Sequence, residues 1–204
     1  MKALITRKIG MASTVSEDGT VVGVTLLSAE PNTVTQLKNL DVDGYCAVQL
    51  GFGNSKKINK PMAGHLKAAK ATTPIMCEIR TEELPEDLKV GDNLTAEVFS
   101  IGDSVKATGT SKGKGWAGTI RRHNFHRGRK THGGRSYRRP GSIGSMYPQH
   151  IFKGTRMAGQ LGDKKVSVKN LKIALVDMEL NVIGVVGAVP GPRKGLVLLQ
   201  GAEK

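Results

Sequence analysis

The sequence is poor in cysteine and has no long apolar run, and both features bound the class of protein. Of its 204 residues only two are cysteines, Cys46 and Cys77, which lie in separate apolar stretches. This usage predicts two reduced thiols rather than a disulfide framework. No apolar run approaches the roughly 20 residues that a membrane-spanning helix needs. Residues 1–11 lack the apolar core of a signal peptide, so we expect a cytoplasmic protein of bacterial type.

Acidic residues are absent from one long stretch, residues 104–162, which we call the basic segment. It holds thirteen of the 31 basic residues and leaves 18 basic against 17 acidic residues elsewhere, so nearly all of the net charge of +14 lies in it. A positive field concentrated in this way is usually matched to a dense negative partner, and nucleic acid is the densest. The thirteen residues are Lys106, Lys112, Lys114, Arg121, Arg122, Arg127, Arg129, Lys130, Arg135, Arg138, Arg139, Lys153 and Arg156.

The basic segment is also short of the residues that build a hydrophobic core. It contains twelve of the 26 glycines, and its aliphatic residues follow no helical or strand period. We therefore expect it to be loose in the free protein and to order against a partner. Basic residues bind phosphates, and aromatic rings stack on unpaired bases. Their combination in one segment predicts an RNA-binding arm. Five of the eight aromatic residues lie among the cations: Trp116, Phe125, Tyr137, Tyr147 and Phe152.

Outside the basic segment, short strand-like runs alternate with glycine-containing turns. This pattern predicts a mostly β protein built on a closed or partly closed antiparallel barrel. We assign residues 1–103 and 163–204 to the barrel and residues 104–162 to an extension inserted between its strands. The expected strands are 2–14, 21–30, 33–38, 45–50, 75–80, 94–101 and 195–200, with further strands in 166–189 around a turn at 179–181, a helix at 61–70 and turns at 17–19 and 85–91.

Two motifs in the basic segment resemble sites that their surroundings disfavour. Residues 113–118, GKGWAG, have dinucleotide-binding spacing, but no acidic residue follows until Asp163. His123 and His126 have metal-like spacing, but a further cation is unfavourable among thirteen positive charges. We therefore assign the histidines to phosphate or base contacts. No Ser–His–Asp or paired-carboxylate arrangement is evident, so we expect no catalytic residue, no cofactor and no metal.

Residues 108–122, TGTSKGKGWAGTIRR, resemble the signature of the universal third large-subunit ribosomal protein family. Five further segments resemble the same family in the same order, so the resemblance spans essentially the whole chain. The compact length resembles the bacterial type. The segments are RKIGM at 7–11, KPMAGHLKAA at 60–69, THGGRSYRRPGSIG at 131–144, FKGTRMAGQLG at 152–162 and VDMELNVIGVVGAVPGP at 176–192.

The resemblance implies a translation-protein-type antiparallel β-barrel with a long, irregular basic loop. It implies a structural protein that binds 23S rRNA near its 3′ end and acts early in assembly of the large subunit. It also implies a loop that runs toward the peptidyl transferase centre. The implied location is the cytoplasmic large (50S) subunit, in one copy per ribosome. Its partners there are rRNA and neighbouring large-subunit proteins, with no membrane and no small-molecule substrate.

Carried onto this chain, the resemblance places the rRNA contacts mainly in the basic segment. Glycines of the signature would let the backbone approach RNA closely, and the cations would bind phosphates. The expected rRNA-binding residues are Lys112, Gly113, Lys114, Gly115, Trp116, Gly118, Arg121, Arg122, His123, Phe125, His126, Arg127, Arg129, Lys130, His132, Arg135, Arg138, Arg139, Lys153 and Arg156, with Arg7 and Lys8 in the barrel.

The tip of the loop departs from the family pattern. Many bacterial members carry Asn-Gln-Thr-Pro-Gly after the GSIG motif, with a methylated glutamine. Here SMYPQH follows at 145–150 and the loop is one residue shorter, so we do not expect that methylation. We expect Tyr147 to stack on rRNA instead. The residues expected at the tip, toward the peptidyl transferase centre, are Ser142, Ser145, Met146, Tyr147, Pro148 and Gln149.

Two other functions remain as alternatives from the residues alone. A free-standing RNA chaperone or RNA-modifying enzyme with a barrel core would also carry a basic arm, although an enzyme needs a polar catalytic cluster. A DNA-compacting protein is disfavoured, because such proteins present regular helices or a β-ribbon. Sedimentation in high salt separates a structural protein, which stays with the large subunit, from a chaperone, which washes off.

Overall fold

The computed structural model describes residues 1–15, 18–85 and 88–201, and the chain divides into two compact units. The first unit comprises Met1–Thr110 and Lys165–Lys204, and the second comprises Ser111–Lys164. The turns expected at 17–19 and 85–91 include Glu17, Glu86 and Asp87, which lie outside the described residues. The expectation of a mostly β protein is confirmed.

In chain order the described residues form strands of 2 to 13 residues and a few short helices. They are β1 (Ala3–Val15), β2 (Val21–Ser28), β3 (Asn32–Lys38), α1 (Leu40–Asp43), β4 (Ala47–Phe52), α2 (Lys60–His65), β5 (Ile75–Arg80), β6 (Asn93–Leu94), a 3-10 helix (Ala96–Val98), β7 (Ser104–Thr110), β8 (Trp116–Ala117), α3 (Thr119–His123), β9 (Gly159–Gln160), β10 (Lys165–Asp177), β11 (Val182–Val186) and β12 (Leu196–Gly201).

Six strands of the first unit close into a ring of antiparallel pairs, in the order β1-β12-β7-β10-β11-β2 and back to β1. Successive side chains of a strand point to opposite faces, and this alternation divides β1 between two cores. Leu4 packs inside the ring with Leu27 and Ile173. Ala3 and Ile5 point outward, where they pack with residues of a second sheet.

The second sheet of the first unit has the strand order β5-β4-β3-β6. All six residues of β4 are buried, including the polar Gln49, so burial does not alternate along this strand. Its Val48, Leu50 and Phe52 join Val34 and Ile79 in the core that covers the outer face of β1. The first unit is therefore built from a closed ring with one additional sheet packed against it.

The strand predicted at 94–101 is wrong. The chain leaves β6 at Leu94 and forms the short 3-10 helix, because Ala96 and Phe99 bury their side chains in the core of the ring. The Asp103 carboxylate then accepts a hydrogen bond from the backbone N–H of Ser100 at 3.0 Å and closes a turn. The local β-branched pattern of this run is thus overridden by packing.

The second unit begins later than the boundary expected at residue 104. Residues 104–110 form β7, which pairs with β12 on one side and β10 on the other. Val105 and Ala107 of this strand are fully buried in the ring. The helix expected at 61–70 is also shorter, since α2 ends at His65 and Leu66 and Ala69 bury their side chains beyond it. The chain leaves the ring at the end of β7 and returns to it at β10, which pairs with β7.

Glu78 of β5 lies at the centre of a polar network on the second sheet. Its carboxylate lies 3.0 Å from the Lys38 ammonium and accepts a hydrogen bond from the Tyr45 hydroxyl at 2.9 Å. The hydrogen bonds from Lys38 and Tyr45 hold the pKa of Glu78 below its ordinary value. The Arg80 guanidinium lies 4.8 Å from the centre of the Tyr45 ring and adds a cation–π contact.

We expect Glu78→Gln to reduce the stability of the protein at neutral pH but not in acid. A carboxyl group with a lowered pKa in the folded state contributes stability above its unfolded pKa and loses it as the pH falls through the folded pKa. The midpoint of urea unfolding should therefore be lower for the variant at pH 7 and equal to wild type only below the lowered folded-state pKa of Glu78. Glu179→Gln, at an exposed turn, is the control. A difference that persists in acid would contradict this assignment.

Candidate nucleic-acid interface

The two ends of the second unit are held together by a short backbone ladder. β8 pairs with β9, with Trp116 opposite Gln160 and Ala117 opposite Gly159. The ladder continues where the Lys114 N–H donates to the Leu161 carbonyl at 2.9 Å and the Leu161 N–H donates to the Gly115 carbonyl at 2.9 Å. The two ends of the second unit therefore lie side by side.

Two side chains of the short helix α3 donate hydrogen bonds to one backbone carbonyl, just before β9. The Arg122 guanidinium donates to the Met157 carbonyl at 2.8 Å, and His123 Nε2 donates to the same oxygen at 3.2 Å. Gly159 leaves the room for this contact, because a Cβ there would lie 2.5 Å from Arg122 Nη1. Arg122 and His123, both expected to bind rRNA, thus also hold the second unit together.

Residues 124–158, all of which the structure describes, contain no helix or strand and are mostly exposed. Their order comes from local contacts instead. The Gly128 N–H donates to the Tyr137 carbonyl at 3.0 Å, and the Arg127 guanidinium donates to the Tyr137 hydroxyl at 3.0 Å. The sequence indicated an aromatic residue among cations at 137 but not this loop closure, in which Gly128 and Tyr137 are nine positions apart.

The charge of the second unit is almost wholly uncompensated. Its 54 residues contain thirteen basic residues and one acidic residue, Asp163. Within the described part of the chain, none of these thirteen forms an ion pair with a carboxylate. All are exposed except Arg122, which is half-buried. They are Lys112, Lys114, Arg121, Arg122, Arg127, Arg129, Lys130, Arg135, Arg138, Arg139, Lys153, Arg156 and Lys164.

The three glycines of the signature differ in what the protein itself requires of them. Gly115 has a φ of +65°, so any other residue there is strained whether or not RNA is bound. Gly118 has a φ of −68°, and a Cβ at this position would meet no atom within 4 Å. Gly113 is nearly as open, with the closest atom, Asp163 Cβ, at 3.8 Å. A substitution at Gly118 therefore tests whether a partner approaches the backbone closely, without disturbing the protein itself.

The expected tip, residues 142–149, is held by bonds between its own side chains and backbone. The Ser142 hydroxyl donates to the Gly144 carbonyl and the Ser145 hydroxyl to the Tyr147 carbonyl, both at 2.8 Å. Met146 is 90% exposed and Tyr147 is 85% exposed. Two large side chains are thus presented to solvent by a loop that its own hydrogen bonds constrain.

Arg7 and Lys8, the expected contacts in the first unit, lie beside the loop at 190–195. The Lys8 N–H donates to the Gly195 carbonyl at 2.9 Å, and the Lys194 N–H donates to the Lys8 carbonyl at 2.7 Å. The Lys8 ammonium donates to the carbonyls of Val189 and Gly191 at 2.7 and 3.3 Å, so part of its capacity holds this loop. The Arg7 guanidinium lies 5.9 Å from the centre of the Phe52 ring and is exposed.

The described residues hold no group of three or more His, Cys, Asp or Glu side chains that could bind a metal ion. None of the described helices has the length and apolar character to cross a membrane. Cys46 and Cys77 are free thiols, and burial raises the pKa of Cys77.

Comparison with known proteins identifies the family. The family described as Ribosomal protein L3 matches residues 80–181. The chain is 47% identical to the large ribosomal subunit protein uL3 of Heliobacterium modesticaldum, with 100% of this chain and 98% of that protein aligned. It is 45% identical to the protein of that name from Pelotomaculum thermopropionicum and 46% identical to that from Shouchella clausii, with the same shares aligned. The resemblance drawn from the motifs is therefore confirmed, and the chain belongs to the ribosomal protein L3 family.

Proposed function

We propose that this protein is a structural constituent of the large ribosomal subunit that binds 23S rRNA near its 3′ end and helps to nucleate assembly. The observation that carries the proposal is the second unit, with thirteen exposed or half-exposed cations, one acidic residue and no ion pair among the described residues. Such a surface is well hydrated by water. A polyphosphate is the partner that it binds most favourably, because binding releases counterions from the nucleic acid. The protein acts by positioning RNA and not as an enzyme.

The first unit serves as the docking base in this proposal. Its closed ring of six strands supports the expectation of a translation-protein-type barrel. Arg7, Arg193 and Lys194 are its candidate phosphate contacts, since the backbone bonds between Lys8 and the loop at 190–195 bring them to one region. Lys8 contributes by fixing this loop, through its ammonium bonds to the carbonyls of Val189 and Gly191.

The second unit threads between rRNA helices and carries its tip toward the peptidyl transferase centre. The open backbone at Gly118 and the exposed cations support close approach to phosphates along the unit. The exposed side chains of Met146 and Tyr147 support a stacking contact at the tip. The partners are 23S rRNA and neighbouring large-subunit proteins, at one copy per ribosome in the cytoplasm.

We expect the purified protein to bind a 23S rRNA transcript with strong salt dependence. If roughly eight cations contact phosphates, the logarithm of the association constant falls against the logarithm of salt concentration with a slope of about −6 to −7. The measurement is a filter-binding titration at four or more salt concentrations. In parallel, the protein should sediment stoichiometrically with large subunits after a high-salt wash. A slope near −2, together with release in the wash, would instead favour an RNA chaperone.

A further inference from the structure

A second concentration of positive charge lies in the first unit, in residues 44–77. The unit carries 18 basic and 16 acidic residues, and this stretch holds five of the lysines and no acidic residue. The remainder of the unit is therefore net negative, with 13 basic against 16 acidic residues. All five lysines are exposed, and none forms an ion pair within the described residues. We call them the lysine surface: Lys56, Lys57, Lys60, Lys67 and Lys70.

The fold turns these lysines outward and brings the two ends of the stretch together. The side chain of Leu66 is buried and anchors the turn that follows α2 to the core, whereas Lys67 and Lys70 on the same turn are exposed. The Ser55 N–H donates to the Thr72 carbonyl at 3.0 Å. The loop at 53–59 and the turn after α2 are therefore neighbours, and their lysines share one region of the surface.

A pocket of about 340 Å³ has Lys70 in its lining, together with Asn54 and Asn93. The Thr72 hydroxyl donates to Asn54 Oδ1 at 2.6 Å, and the Thr33 hydroxyl donates to Asn93 Oδ1 at 2.8 Å. Because these bonds engage the amide oxygens, the two asparagines offer their N–H groups to a ligand, and Lys70 adds an ammonium. The pocket is therefore rich in hydrogen-bond donors.

Donors of this kind select an anionic oxygen ligand over other occupants. Phosphate oxygens accept strong hydrogen bonds from ammonium and amide N–H groups. A calcium or magnesium ion needs several oxygen ligands, and Glu30 is the one carboxylate in the described lining. An apolar side chain would leave the donors unpaired. Because the pocket adjoins a surface of five lysines, a chain of phosphates fits better than a single anion.

We propose that the lysine surface binds the rRNA backbone and that the pocket at Lys70 seats one of its phosphates. The inference rests on the proposed function and adds to it a second docking surface on the first unit, besides Arg7, Arg193 and Lys194. The net charge of the chain outside the basic segment gave no sign of this surface, because acidic residues elsewhere in the first unit balance its lysines.

The first test compares two triple variants of the full-length chain in filter binding to a 23S rRNA transcript across salt concentrations. The test variant changes three lysines of the lysine surface to glutamine: Lys60, Lys67 and Lys70. The control changes three exposed lysines of β10 to glutamine: Lys165, Lys169 and Lys172. Each lysine that contacts a phosphate contributes about 1 to the salt slope, so the slope of the test variant should be about 2 to 3 less steep. The control should keep the wild-type slope.

The second test uses two isosteric changes at the pocket that have opposite expected effects. Asn54→Asp keeps the acceptor for the Thr72 hydroxyl and replaces the N–H donors with a negative oxygen, so we expect binding to be about threefold weaker or more. Glu30→Gln removes a negative charge from the lining and should bind the transcript about twofold more tightly. Asn39→Asp and Glu179→Gln make the same charge changes at exposed positions outside the pocket and are the controls.

Ethylation interference on the transcript supplies a readout that locates the phosphate. Ethylation of the phosphate seated in the pocket should weaken binding of the wild-type protein and have no further effect on the Asn54→Asp variant. Test variants that bind as wild type does, or controls that change binding equally, would overturn the inference. An acidic segment of a neighbouring protein crosslinked to Lys70 in assembled subunits would also overturn it. Failure of the wild-type protein to bind the transcript would instead overturn the proposed function itself.

Discussion

Replacing residues 119–157 with a two-residue Gly-Ser turn is expected to leave the first unit folded and to remove most of the protein's affinity for 23S rRNA. The replacement joins Gly118 to Ala158, next to the paired strands β8 and β9, so the ladder at the base can close as a hairpin. It deletes ten basic residues and no acidic residue. Because counterion release scales with the number of phosphates bound, the salt slope should fall to about −2. Filter binding across salt concentrations measures both quantities.

The control for this deletion keeps the length of the chain and removes its charge, together with the hydrogen bonds that Arg122 and Arg127 donate to Met157 and Tyr137. In it the same ten basic residues are changed to glutamine, so that loss of charge is separated from loss of chain. Equal slopes in the deletion and the glutamine variant would assign the binding to charge. A deletion variant that does not fold, judged by circular dichroism, would show that the first unit depends on the second. An unchanged slope would place the binding on the first unit and overturn the proposed division of roles.

Gly162→Ala is expected to open the base of the second unit. Gly162 has a φ of +76°, where an alanine costs roughly 1–2 kcal/mol. A Cβ at this position would also collide with the Lys112 carbonyl oxygen, so the backbone must shift. We expect the amides of Lys114 and Leu161, which form the ladder there, to exchange hydrogen more than tenfold faster. The affinity for the 23S rRNA transcript should also fall, because the chain that returns at Leu161 is no longer held at the base of the second unit.

Gly133→Ala is the matched control for this substitution. Gly133 has a similar φ of +73°, but a Cβ there would meet no atom within 4 Å. The variant therefore carries the cost of the backbone conformation without the collision. It should leave the exchange of the Lys114 and Leu161 amides unchanged. Equal acceleration in both variants would mean that the effect is not specific to the base and would contradict the role given to the collision with Lys112.

The positions of several strands could be predicted because their signal is local. β2, β4 and β5 coincide with or overlap the strands expected at 21–30, 45–50 and 75–80. β7 was missed because its sequence, SVKATGT, is small and polar and carries part of the charge of the basic segment. Only pairing with β10 and β12 makes it a strand, and those partners lie 55 or more positions away.

The sequence by itself determined the family, the mostly β character and the place where the positive charge is concentrated, because composition and motifs are properties of the linear chain. The tertiary structure decided which of those cations also serve the fold. Arg122 finds the Met157 carbonyl 35 positions away, and Lys8 finds the Val189 carbonyl 181 positions away. It also decided that the Thr119 hydroxyl is buried without a hydrogen-bond partner among the described residues. These features depend on contacts between distant residues, and no local pattern encodes a partner that only folding brings near.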